Sequence, residues 1–190
     1  MLLRIPLAFE ITADHVTDAA WEASWELVEL GVADDDEAQI DVYEATGGVT
    51  VSHVSDPRVQ LEYLLVEGEA IDSVVTEARK RLAWYDGEAI RQLWDNAADV
   101  DDRATAVFLA GVSASAFREA TWQVINAALG DSDPLLRQAG ITAIGYTQWP
   151  EWRFVLRELA DGDRDHDVAS DALAALSALN AANATGAPVY

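Results

Sequence analysis

Apolar and polar residues alternate at the start of the chain, with Leu3, Ile5, Leu7 and Phe9 on one side, the period of a half-buried strand. Thr12 or Asp14 then stands where a helix cap belongs, and the spacing predicts a helix to about Val32. Its aliphatic face is Val16, Ala19, Ala20, Ala23, Leu27 and Leu30, and Trp21, Trp25 and Val28 form a second stripe almost opposite. The acidic run Asp34, Asp35, Asp36 and Glu37 reads as a solvated loop. Three strands follow: Ile40 and Val42 alternate with Asp41 and Tyr43, Val49 and Val51 return after a Gly47–Gly48 hairpin, and Val59, Leu61, Tyr63 and Leu65 run on after the Asp56–Pro57 turn. The order β-α-β-β-β predicts a small α+β layer over residues 1–70.

From about Ile71 the period changes from two to 3.6. Helices are expected over residues 71–85 and 87–98, the first with Val74, Val75, Ala78 and Leu82 inward, the second with Ile90, Leu93, Trp94 and Ala97. The remainder repeats itself. In VDDRATAVFLAGV, DPLLRQAGITAIGY and HDVASDALAALSA, Arg103 aligns with Arg137 and Ala169, Ala106 with Gly140 and Ala172, and Gly111 with Gly145 and Ser177. The offsets are roughly 34 and 32 residues, within the range of helical repeats. Second helices lie between, around Phe117, Ala120, Thr121, Val124 and Ala128, and around Trp152, Val155, Leu156 and Leu159.

The string DSDPLLRQAGITAIG, with an Asp133 cap, Pro134 at the first helical position, an arginine and then small and aliphatic residues, resembles the start of a HEAT repeat. The resemblance covers residues 99–180, about two and a half repeats, and the third departs from the pattern at Ala169. It implies a curved scaffold that binds proteins. Some related helical-repeat proteins bind DNA or act in tetrapyrrole attachment. The expected fold is mainly α with a small α+β part: an N-terminal antiparallel sheet with one helix, packed on a HEAT-like α-solenoid over residues 71–183, with a loose tail over 184–190.

Charge narrows the function. Asp and Glu number 34 against 12 Lys and Arg, a net charge of −22. Such a field repels nucleic acid and anionic membranes, and speeds encounter with basic proteins. It also serves solubility alone. There is no cysteine, which removes disulfides, thiolate metal sites and cysteine nucleophiles. No stretch approaches a membrane span, and the N-terminal apolar run, broken by Pro6 and Glu10, reads as mature protein; the expected compartment is the cytoplasm.

Candidate chemistry is thin. His15, His53 and His166 lack ligand spacing and read as incidental. Residues 161–167 alternate aspartates as a calcium loop does, but Ala172 and Ala174 stand where a closing glutamate belongs, so the segment reads as a loop between repeats with Asp167 capping the next helix. No nucleotide-binding or nucleophile motif is present, and no cofactor or metal is expected. The seven tryptophans are packing residues or binding anchors. The reading is a non-catalytic protein-binding module, in its sharper form an acidic immunity or inhibitor protein that neutralises a basic toxin or nuclease. Its candidate contacts are Trp21, Trp25, Asp34, Asp35, Asp36, Asp161, Asp163, Asp165 and Asp167. An enzyme sited between sheet and repeats, and a structural subunit of a larger assembly, are the alternatives.

Overall fold

The alternating start of the chain forms strand β1 (Leu2–Pro6), and a meander of β2 (Glu26–Glu29), β3 (Gln39–Ala45), β4 (Val49–Asp56) and β5 (Leu61–Glu67) completes an antiparallel sheet in the order β1-β5-β4-β3-β2. The coordinates are a computed structural model that describes residues 1–32 and 37–185. Gly47 and Gly48, at φ 79° and 71°, make the β3–β4 turn, where two successive left-handed residues match the twist of the strands. Helices α1 (Ala13–Glu22) and α2 (Asp72–Arg81) cover one face of the sheet. Val16, Ala19 and Ala20 of α1 and Val74, Val75 and Ala78 of α2 join Ile5, Tyr43, Ala45, Val49, Val51, Leu64 and Val66 in one apolar core. Thr12 and His15 form a reciprocal cap on α1, which gives His15 a local structural role.

Two expectations change here. The helix predicted to Val32 stops at Glu22; Ser24 turns the chain at φ 58°, and residues 26–29 become a strand. Helical spacing in Trp-Glu-Leu-Val-Glu yields to tertiary pairing, because β3 takes β2 as its neighbour and Trp25 is buried at the corner. Of the two alternating sets of β3, the one with Asp41, Tyr43 and Ala45 faces the core and leaves Ile40 exposed. Finally, α2 was expected among the repeats, yet its buried residues belong to the sheet's core. Two compact units result, Met1–Asp86 and Gly87–Tyr190, divided well beyond the expected boundary at residue 70.

The second unit is helical: α3 (Gly87–Asn96), α4 (Val100–Ser113), α5 (Glu119–Leu129), α6 (Pro134–Thr147), α7 (Trp152–Gly162) and α8 (His166–Thr185). The whole is mixed α+β with a helical C-terminal part. Helix α4 packs on α6 and α6 on α8, while α5 lies against α4 and α6, and α7 against α8. Asp99 caps α4 by accepting from the Asp102 amide, and Asp133 caps α6 by accepting from the Leu135 amide ahead of Pro134. Gly111 is where α4 meets α6: a Cβ there would lie 2.9 Å from the Cα of Ala143. Gly145, aligned with it in sequence, faces open space. Trp122 stacks on Trp152 at 3.8 Å between ring centres, and the Trp152 indole donates to Thr147 Oγ1 at 2.9 Å, so these tryptophans are packing residues.

This contrast between the two glycines gives a paired prediction. Gly111→Ala forces α4 and α6 apart and is expected to lower stability by about 1–3 kcal/mol. Gly145→Ala fills open space on a helix and is expected to raise it by about 0.5–1 kcal/mol. Urea unfolding of both variants checks the pair.

Candidate interaction surface at the edge of the sheet

Trp21 and Trp25, expected side by side on one helix, are separated by the end of α1, and both line one cleft. After Glu22 the backbone closes through Ala23 N–H to Ala19 O at 2.9 Å and Trp25 N–H to Ala20 O at 2.8 Å, with Ser24 left-handed between them. Trp25 is thereby driven into the core at 7% exposure, while Trp21, on the last turn of α1, stands 85% exposed. Between them opens a cleft of about 550 Å³ whose walls include Ala20, Trp21, Trp25, Glu26, Leu27 and Tyr43.

The cleft runs along β2, the last strand of the sheet. All four residues of β2 are exposed, and the apolar side chains of Leu30, Val32 and Ile40 near this edge are exposed as well, Ile40 on the side of the sheet away from the core. A bulge at Val28 lies between the Leu27–Tyr43 and Glu29–Val42 pairs. Gly31 then approaches β3 so closely that a Cβ would lie 2.6 Å from Ile40 O, and its amide donates to Asp41 Oδ1 at 3.0 Å. Leu27 shares the core side of the sheet with Tyr43, whereas Glu26 is paired with Glu44 on the opposite side. Scattered exposed apolar residues are ordinary; here they accompany an unpaired edge strand and a cleft, which makes this edge the candidate surface.

The four aspartates of residues 161–167 divide. The Asp163 side chain is only 5% exposed and accepts two hydrogen bonds from Arg137, at 2.7 and 2.8 Å, so it is withdrawn as a partner contact. The remaining Arg137 nitrogen donates to Asp131 O and Ser132 O at 3.0 and 3.1 Å, tying the α5–α6 turn to the end of α7. Asp165, not Asp167, caps α8, accepting from the amides of Asp167 and Val168. Only Asp161 and Asp167 face solvent. Asp34, Asp35 and Asp36 lie outside the described residues.

The pair Arg137–Asp163 forms part of a second cleft, of about 710 Å³, in the helical unit. Four hydrogen bonds hold the Arg137 guanidinium, and the other arginine of that cleft, Arg164, is exposed and donates to Ser132 O at 2.6 Å. Arg137 repeats an earlier contact: Arg103, which aligns with it in sequence, reaches Asp131 at 3.8 Å from a more exposed position. The third aligned residue, Ala169, lies on α8 and carries no such contact.

Sequence spacing missed one ionisable group. His53 of β4 pairs across the sheet with Asp41, Nδ1 to Oδ2 at 3.7 Å, and its Nε2 lies 2.6 Å from Glu62 Oε2, off the hydrogen-bond direction. Strand register, invisible in linear spacing, assembles the set. His53 and Asp41 are buried, and none of the three residues lines either cleft described here. Among the described residues no group of three His, Cys, Asp or Glu side chains is arranged to hold a metal. No helix among them is long and apolar enough to cross a membrane.

Because hydrogen bonds from Arg137 hold the Asp163 carboxyl below its ordinary pKa, folding linkage has a definite sign. The stabilisation is fully present above the ordinary carboxylate value and is lost as pH falls through the lowered native value. Asp163→Asn is therefore expected to flatten the acid limb of stability against pH. Arg137→Ala, which strands the buried carboxylate, is expected to cost about 2–4 kcal/mol near neutral pH. Urea midpoints measured from neutral to acid pH check both.

No protein-family model, curated protein or solved structure matches the chain at a significant level.

Proposed function

We propose that the chain is a non-catalytic protein-binding module that docks a basic partner on the acidic, tryptophan-lined edge of its sheet. The observation that carries this reading is Trp21, 85% exposed on the wall of an apolar cleft beside an exposed edge strand. A large aromatic side chain in that position is the type of anchor that dominates binding energy at interfaces. The surroundings supply the sign of the partner. Between Arg4 and Arg58 the sequence contains no lysine or arginine, and α1, β2 and β3 lie wholly within that stretch.

The helical unit supports the same reading as a scaffold. The recurring Arg-to-Asp contacts and the succession of α4, α6 and α8 favour a HEAT-like stack, and rigid repeats commonly present binding surfaces. Neutralisation of a basic toxin or nuclease is the specific form of this proposal, since a protein that acts by occupying a cationic surface requires acidic display and no catalytic group.

Retention of a partner from native lysate, washed at low and high salt, tests the proposal with Trp21→Ala as the control. A basic partner released by salt and bound at least about tenfold more weakly by Trp21→Ala is expected. A retained set unchanged by Trp21→Ala contradicts the assignment to this edge. The acidic-loop test is confined to Asp161→Asn and Asp167→Asn, because changes at Asp163 or Asp165 disturb the fold itself.

A further inference from the structure

The two edges of the sheet are not alike. The outer edge of β1 is partly covered by residues 83–85 of the same unit: Ala8 N–H donates to Ala83 O and Tyr85 N–H to Pro6 O, both at 3.0 Å, and Leu7 bridges Trp84. Strand β2, at the other end, pairs with β3 on one side and has no strand on its outer side among the described residues. Natural sheets blunt such edges with inward lysine, proline or a covering segment. Here the edge has a bulge but no lysine or proline, and its flanks are apolar.

Strand register divides the edge chemically. On the core side, Leu27 lies beside Trp21 and Trp25 in the cleft. On the other side Glu26 stands directly opposite Glu44, and Glu29 follows. Like charges in register are unfavourable in a sheet, and among the described residues neither Glu26 nor Glu44 has an ion-pair partner. An incoming strand is therefore asked for apolar side chains on one face and cations on the other.

We infer that β2 is the docking edge for an extended, basic segment of the partner, which adds to the sheet as a sixth strand with alternating apolar and Lys or Arg residues. This deepens the proposed function and rests on it. Its backbone meets the open edge of β2, its apolar residues enter the cleft beside Trp21, and its cations lie against Glu26, Glu29 and Glu44. A second copy of the chain is a poor occupant. Antiparallel pairing of Glu26-Leu27-Val28-Glu29 with itself, centred between Leu27 and Val28, sets Glu26 against Glu29 of the other copy twice over, between two bodies each of charge −22.

The test uses the full chain and two synthetic peptides of identical composition, one alternating Val and Arg and one with the valines and arginines in separate blocks. Affinity is read from tryptophan fluorescence, and β2 amide protection from hydrogen exchange. The alternating peptide is expected to bind at least about tenfold more tightly than the blocked one and to slow exchange of β2 amides. The exposed double variant Glu26→Lys/Glu29→Lys is expected to lose the Val/Arg peptide and gain a Val/Glu one. Circular dichroism confirms that this variant is folded, and Trp21→Ala supplies an independent loss of affinity.

Equal binding of both Arg peptides without β2 protection overturns strand addition while leaving a basic partner in place. No peptide binding, when a basic lysate partner still depends on Trp21, overturns strand addition and leaves the cleft as the site. Lysate binding that ignores Trp21 overturns the proposed function as well. Dimerisation through β2 on sedimentation assigns the edge to a second copy and overturns the inference.

Discussion

A chain with 12 cations and 34 acids cannot neutralise its own surface, so the placement of its few positive charges decides what the rest of that surface becomes. Several of them close the fold. Arg137 joins the α5–α6 turn to the end of α7 through Asp163, and Arg103 makes a looser contact of the same kind with Asp131. In the sheet unit, Arg81 reaches both Glu22 and Glu77, linking α1 to α2, and Arg58 pairs with Asp56 in the turn before β5. These four arginines sit in the end turns of helices or, for Arg58, in a loop turn, while the stretch between Arg4 and Arg58 has no cation.

That absence coincides with the part of the sheet that is least finished. The turn at Ser24 buries Trp25 and leaves Trp21 outside, and the close approach of Gly31 to Ile40 keeps the bulged end of β2 against β3. The same local geometry therefore creates an apolar cleft, an exposed strand edge and an uncompensated pair of glutamates at one place. Each feature is common singly. Their coincidence gives the edge an apolar side and an anionic side in strand register, and on that difference the proposed docking of a basic strand rests.

Much of this architecture was legible in the chain. Alternation located β1, β4 and β5, Gly47–Gly48 located the hairpin, and the aligned segments around Ala106, Gly140 and Ala172 located α4, α6 and α8, because each depends on local periodicity. The readings that failed depended on what lies across space. The Glu26–Glu29 segment has helical spacing but is captured by β3; α2 has a helix period, which says nothing about whether a sheet or another helix receives it. Asp163 and Asp161 look equivalent in an acidic run, yet only one meets Arg137. His53, Asp41 and Glu62 come together through register alone. At the candidate site the residues Trp21 and Trp25 were legible as an unusual pair, but their division into one buried floor and one exposed wall required the turn at Ser24.

The alignment of Arg103 with Arg137 acquires a physical meaning in the helical unit, since each arginine reaches an aspartate in a later inter-helix turn. The proposed docking surface is nevertheless the sheet edge, where the exposed aromatic and the open strand are. A hydrogen-exchange footprint of the full chain, free and bound to a basic partner, tests that assignment most directly. The account predicts protection concentrated in the end of α1 and in β2. Protection confined to α4–α8, with β2 unchanged, would contradict it.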